Sequence, residues 1–143
     1  SFGAGLYLLH NALYATFAMA AGWLADHFDK RRVLATGYLL AAVMGIAIVA
    51  LPPNLWTLAL VFALGGVYVA IEETLEDSLC AELVPPAQHG MAFGTLATVN
   101  GIGDFASSIV VGLLWTTLGT TAAFGYSAVL AACGAALVLR VKG

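Results

Sequence analysis

Long apolar runs fill almost all of this sequence and constrain its fold more than any other feature. Five of them approach or exceed the roughly 20 residues that a helix needs to cross the hydrocarbon core of a membrane. Because unpaired backbone groups are too costly in lipid, each run predicts a transmembrane helix. The five predicted helices cover residues 4–25, 33–51, 55–80, 90–118 and 121–140. The predicted fold class is an all-α integral membrane bundle of five transmembrane helices without a soluble domain.

Composition agrees with this fold class and excludes several functions. Of the 143 residues, 62% are hydrophobic and 9% are charged, whereas soluble domains carry about 25% charged residues. The formal net charge is -3, so the chain has no basic surface that would bind nucleic acid. The long apolar runs make the lipid bilayer the expected partner. Cys80 and Cys133 lie in separate apolar segments. The sequence shows neither a metal-binding spacing nor a catalytic nucleophile with its base, so no cofactor, metal or enzymatic activity is expected.

The basic residues predict the orientation of the helices. Lys30, Arg31 and Arg32 lie between the first two runs, and Arg140 and Lys142 follow the fifth. If all five runs span, every basic residue falls on one face, which the positive-inside rule makes cytoplasmic. We therefore expect a multi-pass protein of a bacterial inner membrane, with residues 26–32 and the C-terminus in the cytoplasm.

Two breaks between the runs carry helix-end signals. Pro52-Pro53-Asn54 ends the second run, and Asn54 is predicted to cap the third helix. Gly119 predicts the end of the fourth helix, and Thr120 or Thr121 is predicted to cap the fifth.

Polar residues are unevenly shared among the five runs. The second and fifth runs are almost purely apolar and are expected to face lipid. Intramembrane polar groups face a bundle interior or a wet cavity, so the first, third and fourth helices are expected to line one. Their polar residues are Tyr7, His10, Asn11 and Tyr14, then Glu72, Glu73, Glu76 and Asp77, then Asn100, Asp104, Ser107 and Ser108.

The stretch Gly22-x-Leu24-Ala25-Asp26-x-x-x-Lys30-Arg31 resembles the signature loop of major facilitator superfamily transporters, although His27 and Asp29 depart from its usual pattern. The resemblance continues through Ala81-Glu82-Leu83-Val84-Pro85, Gly90-x-Ala92-x-Gly94 and the segment Gly101–Ser108. It implies that the chain is the last five of twelve helices, with the first seven, its expected partners, absent. It also implies secondary active transport of a small solute by alternating access, while substrate, direction and coupling ion stay open. The alternative is a membrane scaffold or assembly protein that keeps the fold without transporting.

The resemblance implies that the loop between the first two helices acts as a latch, whose charged residues exchange partners between the inward-open and outward-open states. The alternative is that its basic residues only fix the orientation of the helices in the membrane. The loop residues concerned are Gly22, Asp26, Lys30, Arg31 and Arg32. Glu73 and Glu76 are their predicted partners, since Glu72 lies roughly 26 Å along the third helix, near the inner boundary of a core about 30 Å thick. The carboxylates of this helix form either a salt-bridge cluster at that boundary or a proton site.

Asp104 is predicted to stand alone near mid-membrane. A carboxylate there costs roughly 3 kcal/mol, so we expect it to carry a proton or to pair with a group outside this chain. It is a candidate for coupling or substrate contact, and the alternative is a packing role in which Asn100 or Ser108 bonds it. His10, Asn11 and Tyr14 complete the candidate cavity, with His10 either a cavity contact or a bond between helices.

Overall fold

The structure is a computed structural model that describes residues 2–141. It contains five α-helices and one short 3-10 helix, and no strand occurs between residues 2 and 141. The elements are α1 (Phe2–His27), α2 (Lys30–Ala50), α3 (Leu55–Leu83), the 3-10 helix (Pro86–Gln88), α4 (His89–Leu118) and α5 (Thr120–Val138). The predicted all-α fold of five helices is confirmed. The helix ends differ from the predicted ones by up to three residues, and the largest shifts lengthen α2 at its start and α3 at its end.

Four of the helices, α2 to α5, are long and apolar enough to cross a membrane. The remaining helix, α1, is 26 residues long, but His10 and Asn11 interrupt its apolar sequence. It runs parallel to α3, and the two helices touch from His10 beside Phe62 to Gly22 beside Thr74. Because α1 follows α3 over this length, it occupies the same depth of the bundle.

Capping explains where the helices begin. The Asn54 side chain accepts a hydrogen bond from the backbone N–H of Thr57 at 2.9 Å, which confirms the predicted cap of α3. Asp29 caps α2 in the same way by accepting from the N–H of Arg31 at 3.0 Å. At the α4–α5 turn Gly119 ends α4 as predicted, but the predicted threonine cap was wrong, because no side chain caps α5 and Thr120 is already its first residue. The turn depends instead on Gly119, whose φ of 88° favours glycine.

Small residues let the helices approach closely. A Cβ at Gly66 would overlap the backbone carbonyl of His10, and a Cβ at Gly45 would lie 3.1 Å from the Cβ of Ala128. Membrane helices associate largely through such close van der Waals packing, since lipid is as apolar as the side chains. The helix α2 lies between α3 and α5 and holds six buried residues. The prediction that α2 faces lipid was therefore wrong for the side of α2 that packs against α3 and α5.

The two ends of the bundle are distinct. The Arg31 guanidinium donates a hydrogen bond to the carbonyl of Val141 at 2.5 Å, and the Lys30 ammonium lies 2.8 Å from the Glu82 carboxylate. The start of α2 and the ends of α3 and α5 thus share one end, called here the basic end. Pro53 and Thr121 line a common groove at the opposite end. The helices therefore alternate in direction as the sequence predicts.

Candidate functional site

The polar side chains of α3 and α4 face each other across a cavity of about 580 Å³, called here the α3–α4 cavity. The helices run in opposite directions, so Asn100 lies beside Glu76 and Asp104 lies near Glu72. The cavity is lined by Tyr38, Glu72, Glu73, Glu76, Asp77, Phe93, Leu96, Ala97, Val99, Asn100, Gly103 and Asp104. Five carboxylates and no lysine or arginine are among these lining residues.

The depth of the α3 carboxylates differs from the sequence-based expectation. With 29 residues, α3 is roughly 43 Å long, because it continues to Leu83 beyond the predicted end. Glu72 lies three residues beyond the middle of α3, and Asp104 is one of the two central residues of α4. Both carboxylates therefore lie at the same depth, near the middle of the bundle. Asp104 is not alone at that depth, which corrects the prediction.

Glu76 is the most fully bonded carboxylate of the cavity. Its Oε1 accepts from the Tyr38 hydroxyl of α2 at 2.5 Å, and its Oε2 accepts from the Asn100 amide of α4 at 2.7 Å. Glu76 thus connects three helices through one side chain.

Glu73 has a partner on α1, and Glu72 has one on its own helix, α3. The Tyr14 hydroxyl of α1 donates to Glu73 Oε2 at 2.7 Å. Glu72 is half-buried and interacts with the hydroxyl of Tyr68, one turn earlier on α3. The hydroxyls of Tyr14 and Tyr38 and the Asn100 amide, from α1, α2 and α4, therefore donate to the carboxylates of this acidic cluster.

Asp104 is exposed to the cavity, as Glu73 and Asp77 of α3 are, whereas Glu72 and Glu76 are half-buried. Within residues 2–141, no hydrogen bond joins the Asp104 carboxylate to Asn100 or Ser108, and Ser107 donates only to its backbone carbonyl. Asn100 bonds Glu76 instead. The structure thus does not contain the hydrogen bonds on which the packing alternative for Asp104 depends.

The structure places four predicted cavity residues outside the cavity lining, and one of them, Tyr14, reaches it only through its bond to Glu73. His10 lies between α1 and α3, where its Nδ1–H donates to the carbonyl of Phe62 at 3.2 Å. Asn11 donates to the carbonyl of Tyr7 one turn earlier, at 2.8 Å. Ser108 is exposed on α4, and it is not among the lining residues. His10 is therefore a bond between helices in this structure.

At the basic end, the predicted loop is mostly helix. Only Phe28 and Asp29 separate α1 from α2, so Lys30, Arg31 and Arg32 form the first turn of α2. Arg32 lies 3.8 Å from Asp29, and Asp26, exposed in the last turn of α1, forms no ion pair within the described part of the chain.

The predicted pairing of Arg31 or Arg32 with Glu73 or Glu76 does not occur in this structure. Lys30 contacts Glu82, while Glu73 and Glu76 accept bonds from Tyr14, Tyr38 and Asn100. Gly22, the first residue of the predicted loop, lies beside α3, where an added Cβ would be 3.9 Å from the Thr74 methyl group. That is an ordinary contact, so close packing does not require glycine at this position.

Sequence reasoning missed three residues of these sites. Asp29 carries the general signal for an N-cap, a short acceptor directly before a helical run. Glu82 lies beyond the predicted end of the third helix, so its approach to Lys30 was not visible. Tyr38 is the one tyrosine of the second run, and its isolation in an apolar helix was the available signal for a polar partner.

Comparisons with known proteins support one family. The sequence model of the Major Facilitator Superfamily matches residues 1–142. The chain is 29% identical over 136 residues to an uncharacterised MFS-type transporter of Methanocaldococcus jannaschii, covering 95% of this chain and 34% of that protein. It is 31% identical over 121 residues to the MFS-type transporter ppzB of Metarhizium rileyi, covering 85% of this chain and 25% of that protein. No solved structure gives a significant match.

The chain spans about a third of the length of the first relative (34%) and a quarter of the second (25%). The family match, in contrast, extends over nearly all of its own residues. Apolar helices of spanning length account for most of the chain. The chain belongs to the Major Facilitator Superfamily and is an integral, multi-pass membrane protein.

Proposed function

We propose that this chain is the C-terminal part of a secondary active transporter that moves a small solute by alternating access. The observation that carries the proposal is the α3–α4 cavity, where Glu72 and Asp104 lie near the middle of apolar helices and three further carboxylates and Asn100 line the same space. Ionisable groups at this depth are costly and face water-filled pathways or functional partners. A bundle that served only as a scaffold would be more stable with apolar residues at these positions.

The family supports the transport class, because both relatives described above are named MFS-type transporters. We include in the proposal a pathway completed by helices N-terminal to this chain, since the chain covers only part of those relatives. The helix α4 has no buried residue among those described. Its exposed surface, which includes Asn100 and Asp104, is where we expect the remaining helices to face the cavity.

Proton coupling is the finer part of the proposal. Asp104 and Asp77 both face the cavity with no hydrogen bond or ion pair to their carboxylates among the described residues, and of the two only Asp104 lies at the middle of its helix. An acidic side chain in such a place exchanges a proton with the cavity more readily than one held by several donors, as Glu76 is. We therefore assign the coupling role to Asp104 and a structural role to Glu76.

The basic end is proposed to face the cytoplasm of a bacterial cell, with the protein in the inner membrane. The positive-inside rule supports this orientation, because Lys30, Arg31, Arg32 and Arg140 lie together at that end. The contacts of Lys30 with Glu82 and of Arg31 with Val141 join α2 to α3 and α5. We propose that they hold this end closed and exchange partners when it opens. A pairing of Arg31 or Arg32 with Glu73 or Glu76 in another state stays a prediction.

The test is a transport assay on the full-length protein in proteoliposomes. Vesicles with an imposed inward proton gradient are incubated with a defined mixture of small metabolites, and their contents are measured by mass spectrometry. The proposal predicts that at least one solute accumulates above its external concentration and that a protonophore abolishes the accumulation. If no solute crosses in either direction under any gradient, the scaffold alternative is favoured.

A further inference from the structure

The hydrogen bonds of Glu76 bear on how α4 is held in the bundle. The helix α4 packs on α5 near the turn at Gly119, where the rings of Trp115 and Phe124 lie 5.5 Å apart. Towards α3 it makes few contacts, because the α3–α4 cavity separates the two helices. The position of α4 relative to α3 therefore depends on a small number of polar bonds.

Two such bonds occur within the described residues, and they lie at different distances from the α3–α4 connection. At the connection, the His89 Nε2–H is shared between the carbonyls of Ala81 and Val84, each 3.1 Å away. The bond from Asn100 to Glu76 lies further along α4, eleven residues and roughly 16 Å from His89. His89 can hold only the start of α4, so the middle of the helix is held to α3 by Asn100.

Glu76 is itself fixed by α2. Tyr38 donates to the carboxylate oxygen that Asn100 does not use, so both donors are accommodated at once. Tyr38 is half-buried on a helix whose neighbouring residues pack in the core. The carboxylate is thus presented to α4 in one orientation rather than moving freely in the cavity.

We propose that Glu76 is a positioning residue that holds α4 against α3 and α2, and that its release from Asn100 lets the middle of α4 move away and widens the α3–α4 cavity. This inference depends on the proposed function, since it describes how the proposed pathway opens. A solute group that donates a hydrogen bond to Glu76 Oε2 takes the place of Asn100. Binding in the cavity is then coupled to the position of α4, because the two states differ in which donor Glu76 accepts.

The register of α3 and α4 identifies two positions whose cross-linking reports the distance between these helices. Glu76 bonds Asn100, and from this register we expect Cys80, one turn further along α3, to lie close to Leu96, one turn back along α4. In the full-length protein in membranes, Cys133 is replaced by alanine and Leu96 by cysteine. The rate of disulfide formation between Cys80 and position 96 then measures how closely α4 approaches α3.

The variants separate a hydrogen bond from general packing. Asn100→Asp places a carboxylate against Glu76, and we expect the cross-linking rate to fall about tenfold, as loss of a charge-assisted bond predicts. Combining Asn100→Asp with Glu76→Gln reverses donor and acceptor at constant net charge, and we expect the rate to return to within about twofold. The control is Glu73→Gln, because Glu73 bonds Tyr14 on α1 and forms no hydrogen bond to α4 among the described residues, and it should leave the rate unchanged.

The inference is overturned if Asn100→Asp cross-links at the parental rate, or if the reversed pair stays as slow as Asn100→Asp. Recovery in the reversed pair also shows that the slow cross-linking depends on the pairing of positions 76 and 100 and not on the aspartate at position 100 alone. Cross-linking is measured without any solute, so it reports the helix geometry separately from transport. A normal cross-linking pattern in a protein that transports nothing would contradict the proposed function and leave the role of Glu76 intact.

Discussion

At the scale of single residues, the structure distinguishes two aspartates that the sequence places three positions apart. Asp29 caps α2 and lies near Arg32, whereas Asp26 is exposed and forms no ion pair within residues 2–141. Three basic residues in the first turn of α2 oppose its helix dipole, so the Asp29 carboxylate offsets an unfavourable arrangement.

We expect Asp29→Ala to lower the free energy of unfolding by about 1 kcal/mol, the usual effect of losing an N-cap. Asp26→Ala is the matched control and should change it by less than about 0.5 kcal/mol. Thermal unfolding of the detergent-solubilised full-length protein measures both. Equal effects of the two variants would contradict the assignment of Asp29 as the cap.

A second residue-scale prediction concerns the approach of α1 to α3. A Cβ at Gly66 would overlap the backbone carbonyl of His10, which cannot move as a side chain does. We expect Gly66→Ala to destabilise the protein by about 1–3 kcal/mol, as overpacking does. Gly125→Ala on α5 is the control, because nothing lies within 4 Å of a Cβ there. The same thermal measurement checks the pair, and an unaffected Gly66→Ala would show that the helices are less closely packed than described.

At the scale of the helices, the apolar runs predicted the number and order of the elements, because a helix satisfies its backbone hydrogen bonds internally and lipid offers no other partners. The proline pair after α2 and the glycine after α4 located their ends for equally local reasons. The contact of Lys30 with Glu82 was not predictable in this way. It depends on the actual length of α3 and on which helices pack together, and single-sequence patterns contain neither quantity.

The candidate site was likewise predictable only in part. Sequence patterns identified Glu73, Glu76, Asn100, Asp104 and Tyr14 as polar residues on cavity-lining helices, and all five meet in or beside the α3–α4 cavity. They also identified His10 as a cavity candidate, but in the structure His10 forms a hydrogen bond between α1 and α3. A polar residue on a membrane helix faces either a wet cavity or a neighbouring helix, so its presence alone does not distinguish the two.

At the scale of the whole molecule, the account requires that all basic residues lie on the cytoplasmic side. Arg31→Cys and Pro53→Cys place thiols at opposite ends of the bundle, in a protein whose Cys80 and Cys133 have been replaced. A membrane-impermeant maleimide added outside intact cells should label position 53 and not position 31. Labelling of position 31 in preference to 53 would reverse the proposed topology.

The most direct test of the central claim, that the carboxylates of the α3–α4 cavity serve coupled transport, is the behaviour of Asp104→Asn. Asparagine keeps the volume of the side chain and removes its ability to exchange a proton. The solute found in the metabolite assay is measured in two ways in proteoliposomes, as proton-driven accumulation and as exchange between equal concentrations. Ser108→Ala, one turn away and outside the cavity lining, is the control for substitutions on α4.

We predict that Asp104→Asn exchanges the solute across the membrane but no longer accumulates it above the external concentration, whereas Ser108→Ala does both. The loss should persist from about pH 6 to pH 8, because no proton-exchanging group remains at that position. Full accumulation by Asp104→Asn over the same pH range would contradict the claim and reduce Asp104 to a packing residue.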